Sequence, residues 1–147
     1  MTGQKLVLAA ADAEDLETIS ARLQDAVAQV KDLVYLRKSR RFAGLFNRFK
    51  WENAGPRSGA RVRSGLHIEG VLSAKSSRMR TTNPDAVASL LAIRFQPKGG
   101  EDPGGMIELV FSGGGILKLE VECIDAELAD LSGEWAARGR PVHELEA

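Results

Sequence analysis

Cysteine is almost absent from this chain of 147 residues, where Cys123 stands alone. One thiol cannot close an internal disulfide, and the count excludes disulfide frameworks and cysteine-rich metal sites. A reducing, cytoplasmic compartment is the expectation that follows. Histidine is nearly as scarce: His67 and His143 are the full set, and neither stands in an HxxxH or HExxH spacing. No apolar run nears the roughly 18 residues of a membrane span. The opening MTGQKLVLAAADAEDLE turns acidic after a short apolar stretch, so neither a secretory leader nor a membrane span is expected. The nucleophile elbow GxSxG, the P-loop and the dinucleotide fingerprint are all missing. The sequence implies no metal and no cofactor.

What is present has the balance of an ordinary globular domain, 44% hydrophobic and 27% charged. A chain of this length buries about 70% of its unfolded surface and needs no staple. We expect one domain over residues 1–147, with an ordered core from about residue 5 to 140. The zero net charge hides a segregation. Residues 37–80 hold twelve Lys/Arg against two Asp/Glu, a balance of +10, whereas residues 101–147 hold three against eleven, a balance of −8. Two readings follow: a basic face for an anionic partner, or acidic and basic segments that neutralise each other in the fold.

Local patterns sketch the elements. Leu16, Ile19, Leu23 and Val27 fall at helical spacing after Asp12, which suits an N-cap, and Glu14, Asp15 and Glu17 favour the positive end of the helix dipole. AQVKDLVYL and RFAGLFNRFKW, separated by RKSR, read as a hairpin, and AGPRSG at 54–59 reads as a loop. Over residues 60–75 a single half-buried strand is expected, with Val62, Leu66, Ile68 and Leu72 on one side and Arg61, Arg63, His67 and Glu69 on the other. SSRMRTTNPD follows as a loop, and VASLLAIRF as a strand. Ile107, Leu109 and Phe111 alternate, as do Leu117, Leu119 and Val121. A three-residue loop of Gly113, Gly114 and Gly115 would set Phe111 opposite Leu117 and Leu109 opposite Leu119 on one face. Those glycines are not a phosphate cradle, because KLEVE continues as a strand rather than opening a helix. A closing helix is expected from about Asp125, with Leu128, Leu131 and Trp135 on its inner face.

These elements predict an α+β domain: a mostly antiparallel curved sheet or partial barrel of about six strands, with an N-terminal helix and a closing C-terminal helix, as in pleckstrin-homology-like folds. The alternative is an open antiparallel sheet with both helices on one face. Cys123 continues the inward alternation of its strand and reads as a buried thiol, and His67 as a surface residue on a polar strand face.

One stretch interleaves cations with aromatics: Arg37, Lys38, Arg40 and Arg41, then Phe42, Phe46, Arg48, Phe49, Lys50 and Trp51. Single-stranded nucleic acid uses such pairings of stacking rings and charge. The competing reading puts the rings in the core and the cations on the solvated face. Aromatics are only 5% of the chain, so a core this size needs most of them inside. The candidate binding residues are Arg37, Lys38, Arg40, Arg41, Arg48, Arg61 and Arg63.

The segments DAEDLETISARLQDAV, RRFAGLFNRFKWE, VLSAKS, PDAVASLLAIRF and ELVFSGGGILKLEVECIDAELADL resemble an alphaproteobacterial family designated domain of unknown function 2948. The resemblance spans about residues 5 to 140. It implies no catalytic residue, cofactor or partner that could be placed on numbered positions. The leading functional expectation is a non-catalytic protein-binding or adaptor module. The alternative is RNA or other polyanion binding through residues 37–80, and an enzyme built from dispersed carboxylates and arginines comes third.

Overall fold

Period-two alternation becomes strand along most of the chain, and only one segment keeps a helical stripe. The computed structural model describes residues 5–49, 61–80 and 82–131. Helix α1 is Ala13–Leu23. Asp12 is extended, its carboxylate accepts from the Asp15 N–H at 2.8 Å, and Leu16, Ile19 and Leu23 are buried. The stripe stops at Leu23 because Asp25 takes a left-handed φ of 67° and donates its N–H to the Leu90 carbonyl. Val27, expected as the fourth stripe residue, starts a strand instead.

Ten strands form one antiparallel sheet. In chain order they are β1 Val7–Ala10, β2 Val27–Gln29, β3 Leu33–Leu36, β4 Arg41–Phe49, β5 Arg61–Ile68, β6 Val71–Ser77, β7 Val87–Gly99, β8 Asp102–Phe111, β9 Ile116–Val121 and β10 Ala126–Asp130. Their lateral order is β1-β10-β5-β4-β2-β7-β8-β9-β6, and β3 follows β2 along the same side of β4. The sheet wraps back on itself. Val71 donates its N–H to the Arg40 carbonyl, and the Tyr35 hydroxyl donates to the Val71 carbonyl, both at 2.8 Å. These bonds bring β6, the last strand of the order, beside the β3–β4 turn.

The two halves of the wrapped sheet share one core. Phe42, Phe46, Leu66 and Ile68 come from one half, Leu90, Ile107, Leu109, Phe111, Leu119 and Val121 from the other, and α1 adds its three stripe residues. Each such burial contributes about 1.5–3 kcal/mol relative to exposure. The ladder is irregular between Leu90 and Ala92, and there the Ile93 N–H turns to the Ser20 hydroxyl of α1.

This architecture overturns the expected fold class. Ten strands stand where about six were expected, and α1 is the only α-helix among the described residues. Neither the pleckstrin-homology-like arrangement nor the open sheet with two helices survives, because ten strands replace about six and the segment where the closing helix was to begin is itself a strand. That strand is β10. Ala126, Leu128 and Asp130 face inward with period two, and the strand fills the space between β1 and β5. Leu131 lies just past that strand, and Trp135 falls outside the described residues, as do the 54–59 loop, Lys50 and Trp51.

Other expectations change in detail. The strand expected over 60–75 is two strands, because Gly70, at φ +66°, breaks it. Inward parity then passes to Val71, leaving Leu72 41% exposed. The hairpin Leu33–Leu36 to Arg41–Phe49 forms across a 3-10 turn at Arg37–Ser39. In the β8–β9 hairpin Leu109 faces Leu117 and Ile107 faces Leu119, two residues from the expected register. An even shift keeps every side chain on its face, so the apolar sets still meet. Cys123 is exposed rather than buried, because β9 ends at Val121.

Candidate functional site

The structure divides the seven candidate binding residues. Arg48 leaves the surface entirely. It continues the inward parity of Phe42 and Phe46 on β4, and its side chain is fully buried. Its guanidinium donates to both oxygens of Asp130 on β10, Nη2 to Oδ2 at 2.9 Å and Nε to Oδ1 at 3.0 Å. Nη1 donates to the Phe49 carbonyl. The Ser64 hydroxyl donates to Asp130 Oδ1 at 2.7 Å, and the Leu6 N–H to Oδ2 at 3.0 Å. Burial alone would push the Asp130 carboxyl up. The hydrogen bonds from Arg48, Ser64 and Leu6, together with the Arg48 charge, outweigh it and hold the carboxyl below its ordinary value. The network ties β1, β4, β5 and β10 together at one end of the core.

The remaining six fall into two groups. Arg41 starts β4 and Arg61 stands opposite Phe49 at its end, eight positions away along the strand, or roughly 27 Å at the strand rise. Arg61 lies over the Phe49 ring, 4.2 Å from its centre, and Arg63 has a buried Nε without a hydrogen-bond partner. At the other end Arg40 pairs with Glu122 at 3.4 Å and Arg41 with Glu69 at 2.8 Å. Glu69 also faces His67 Nδ1 at 2.9 Å, and Glu127 faces Nε2 at 3.0 Å. Arg37 and Lys38 are exposed on the 3-10 turn. No carboxylate pairs with either among the described residues.

Those two residues border the most distinctive surface feature, a seam where the wrapped sheet fails to close. Among the described residues, β6 pairs only with β9, and β3 only with β4. Between these free edges lies a hollow of about 200 Å³ bounded by Leu33 of β3, Ala74, Lys75 and Ser76 of β6, and Leu117. Val30 and Met79 join it to a second hollow of about 240 Å³. The second is bounded by Arg78, Arg80, Phe111 and the turn at Ser112–Gly115. Glycine permits that contact, since a Cβ on Gly115 would sit 2.6 Å from the Met79 sulfur. Gly113 takes φ +82°, a conformation most side chains resist. Leu36 and Leu72 are 43% and 41% exposed. Each adjoins a residue of the Tyr35–Val71 hydrogen bond at the closed end of the seam.

Lys75, Arg78 and Arg80 are exposed and have no ion pair among the described residues. Lys75 stands directly opposite Lys118 on β9. Sequence reasoning counted all three in the basic segment without naming them as site residues, because they sit at the margin of an apparent loop. A usable signal was there: residues 70–84 contain no Asp or Glu.

Small-molecule pockets usually offer about 300–1,000 Å³, and each hollow is smaller than that. Neither His67 nor Cys123 borders them. No helix among the described residues is long and apolar enough to cross a membrane. No curated protein and no solved structure matches the chain. The family described as Protein of unknown function (DUF2948) matches over residues 6–143, nearly the whole length, and the chain belongs to it.

Proposed function

We propose that this protein is a non-catalytic protein-binding module of the cytoplasm that engages its partner at the seam between β3 and β6. One observation carries the reading: among the described residues, two strand edges without a pairing partner face each other across a mainly apolar hollow. Exposed Leu36 and Leu72 lie at the closed end of the seam, and cations with no ion pair among the described residues border it. Free strand edges can recruit further strands, which supports an interaction site here. The lone cysteine fits a reducing compartment.

Nucleic-acid binding is the weaker reading because the six surface cations of the expected patch are split between two ends of a ladder. Single-strand binders also offer ring faces for stacking. At the seam Tyr35 is committed to Val71, and Phe49, at the far end of the ladder, is capped by Arg61. The test is co-purification with wild type, with Leu36→Asp/Leu72→Asp, and with Leu91→Asp as an exposed control on β7. Loss of the same partner only in the seam variant, with the fold retained, supports the reading. Micromolar binding of single-stranded RNA at physiological salt, falling steeply as salt rises with a slope of about −0.7 per phosphate, replaces it with the nucleic-acid reading.

A further inference from the structure

The chemistry of the seam narrows what its partner must present. We infer that the seam takes an extended acidic segment of a partner protein, added as a strand along the free edge of β6, with carboxylates toward Lys75, Arg78 and Arg80. The inference rests on the protein-binding reading above and adds the conformation and charge of the ligand.

Three observations carry it. Beyond Val71, whose N–H and carbonyl are both taken, β6 has no strand neighbour on the side away from β9 among the described residues. Its backbone therefore offers a row of donors and acceptors of the kind an added strand satisfies. Two hollows that share Val30 and Met79 then adjoin this region, each below the usual volume of a small-molecule pocket and open to side chains that alternate along a strand. Third, three exposed cations gather here with no ion pair among the described residues, and Lys75 faces Lys118 across the ladder, with Glu108 on the far side of Lys118. Like charges directly opposite each other destabilise a pair of strands, and an incoming carboxylate would relieve that repulsion. Elsewhere Arg40, Arg41 and Lys31 each have an acidic partner in the fold.

A competing account of the same cations is that they blunt an exposed edge against aggregation, a common use of lysine on edge strands. The two accounts separate by experiment. The probe is a synthetic peptide of about eight residues that alternates glutamate with valine and alanine. Its controls are the same peptide with lysine for glutamate and a single-stranded oligouridine. The acidic peptide is expected to bind the full-length protein and to slow amide hydrogen exchange in Leu72–Ser77. Affinity should fall at least about tenfold in Lys75→Glu/Arg78→Glu, a loss of about 1.4 kcal/mol, and should weaken as salt screens the charges.

Equal binding of the lysine peptide, protection elsewhere than β6, or preference for oligouridine would each overturn the inference. Self-association of Lys75→Ala/Arg78→Ala without peptide binding by wild type would assign the cations to edge protection. If the acidic peptide fails while Leu36→Asp/Leu72→Asp still abolishes partner capture, the protein-binding reading stands and the acidic-strand inference falls. If both fail, the seam is not the site.

Discussion

Arg48 and Arg78 are the same residue type, come from one basic segment of sequence, and occupy opposite worlds in the fold. Arg48 is sealed in the core against Asp130, Ser64 and the backbone. Arg78 lies exposed at the mouth of a groove, with no carboxylate paired to it among the described residues. The difference shows that a charge count along a chain locates cations without assigning their work. Parity within a strand and the presence of a partner decide whether a cation holds the fold together or faces a ligand.

The comparison is broken most severely by removing the acid from the buried network. Asp130→Ala leaves the Arg48 guanidinium desolvated and uncompensated, which should cost about 3–5 kcal/mol in urea unfolding. Replacing the whole network at once, as in Arg48→Met/Asp130→Leu, should recover most of that loss, because an apolar pair of similar volume costs no ion desolvation. If the double variant is as unstable as the single one, the pair contributes more than charge compensation. Ser64→Ala removes one donor to Asp130 and should cost about 1–3 kcal/mol.

Acid sharpens the same contrast. The folded Asp130 carboxyl lies below its ordinary value, so its contribution is fully present above the unfolded value of about 3.9. It is lost as pH falls from there through the folded value, as the neutral acid forms. Wild type should therefore lose more stability than Asp130→Asn over that window. Parallel acid-unfolding curves for the two would show that the network does not depend on the Asp130 charge.

Much of the fold was legible because local signals agreed with the tertiary outcome. The Asp12 cap, the stripe of α1 and the inward faces of β8 and β9 all follow from spacing alone. The hairpin register failed by two because the turn spends Phe111–Gly115, whose ends are joined by the Phe111 N–H to the Gly115 carbonyl. The closing helix failed for a different reason. Leu128 and Leu131 sit three apart, which mimics a helical stripe, while the true period of two places a charged residue, Asp130, inside. A buried aspartate looks outward-facing until its partner is known. The same parity argument recovers the buried site after the fact. Arg48 follows Phe42 and Phe46, Ser64 sits between Val62 and Leu66, and Asp130 follows Ala126 and Leu128. Three polar residues at inward positions on three strands are a network signal, but only once the strand order 10-5-4 brings them together. The seam was less legible still, since it is made by what β3 and β6 do not pair with.

Between the two extremes lies the turn that supports the groove. Gly113 takes φ +82°, and a Cβ there would meet nothing within 4 Å. Gly113→Ala should thus cost only the conformational term, about 1–2 kcal/mol, read as a fall in melting temperature. A larger loss would mean that the turn cannot tolerate substitution for packing reasons. The corrected position of Cys123 predicts less: Cys123→Ala opens no cavity, so stability should stay within about 0.5 kcal/mol.

The smallest expected effect on stability is the most informative about the seam. Lys75, Arg78 and Arg80 are exposed and hold no ion pair among the described residues, so truncating them removes no compensated charge and no hydrogen bond seen in the fold. Surface changes of this kind usually shift stability by less than about 0.5 kcal/mol each. Lys75→Ala should fall on the stabilising side of zero, because it removes the repulsion from Lys118 directly across the ladder. Urea unfolding of the three single variants beside Asp130→Ala makes the comparison direct. Near-zero shifts at the seam against several kcal/mol in the core would show that the fold does not depend on these cations, as the ligand-facing reading requires. A loss above about 1 kcal/mol in Arg78→Ala would instead give that side chain a structural role over the β8–β9 turn, where it approaches Gly114, and would remove it from the ligand-facing set.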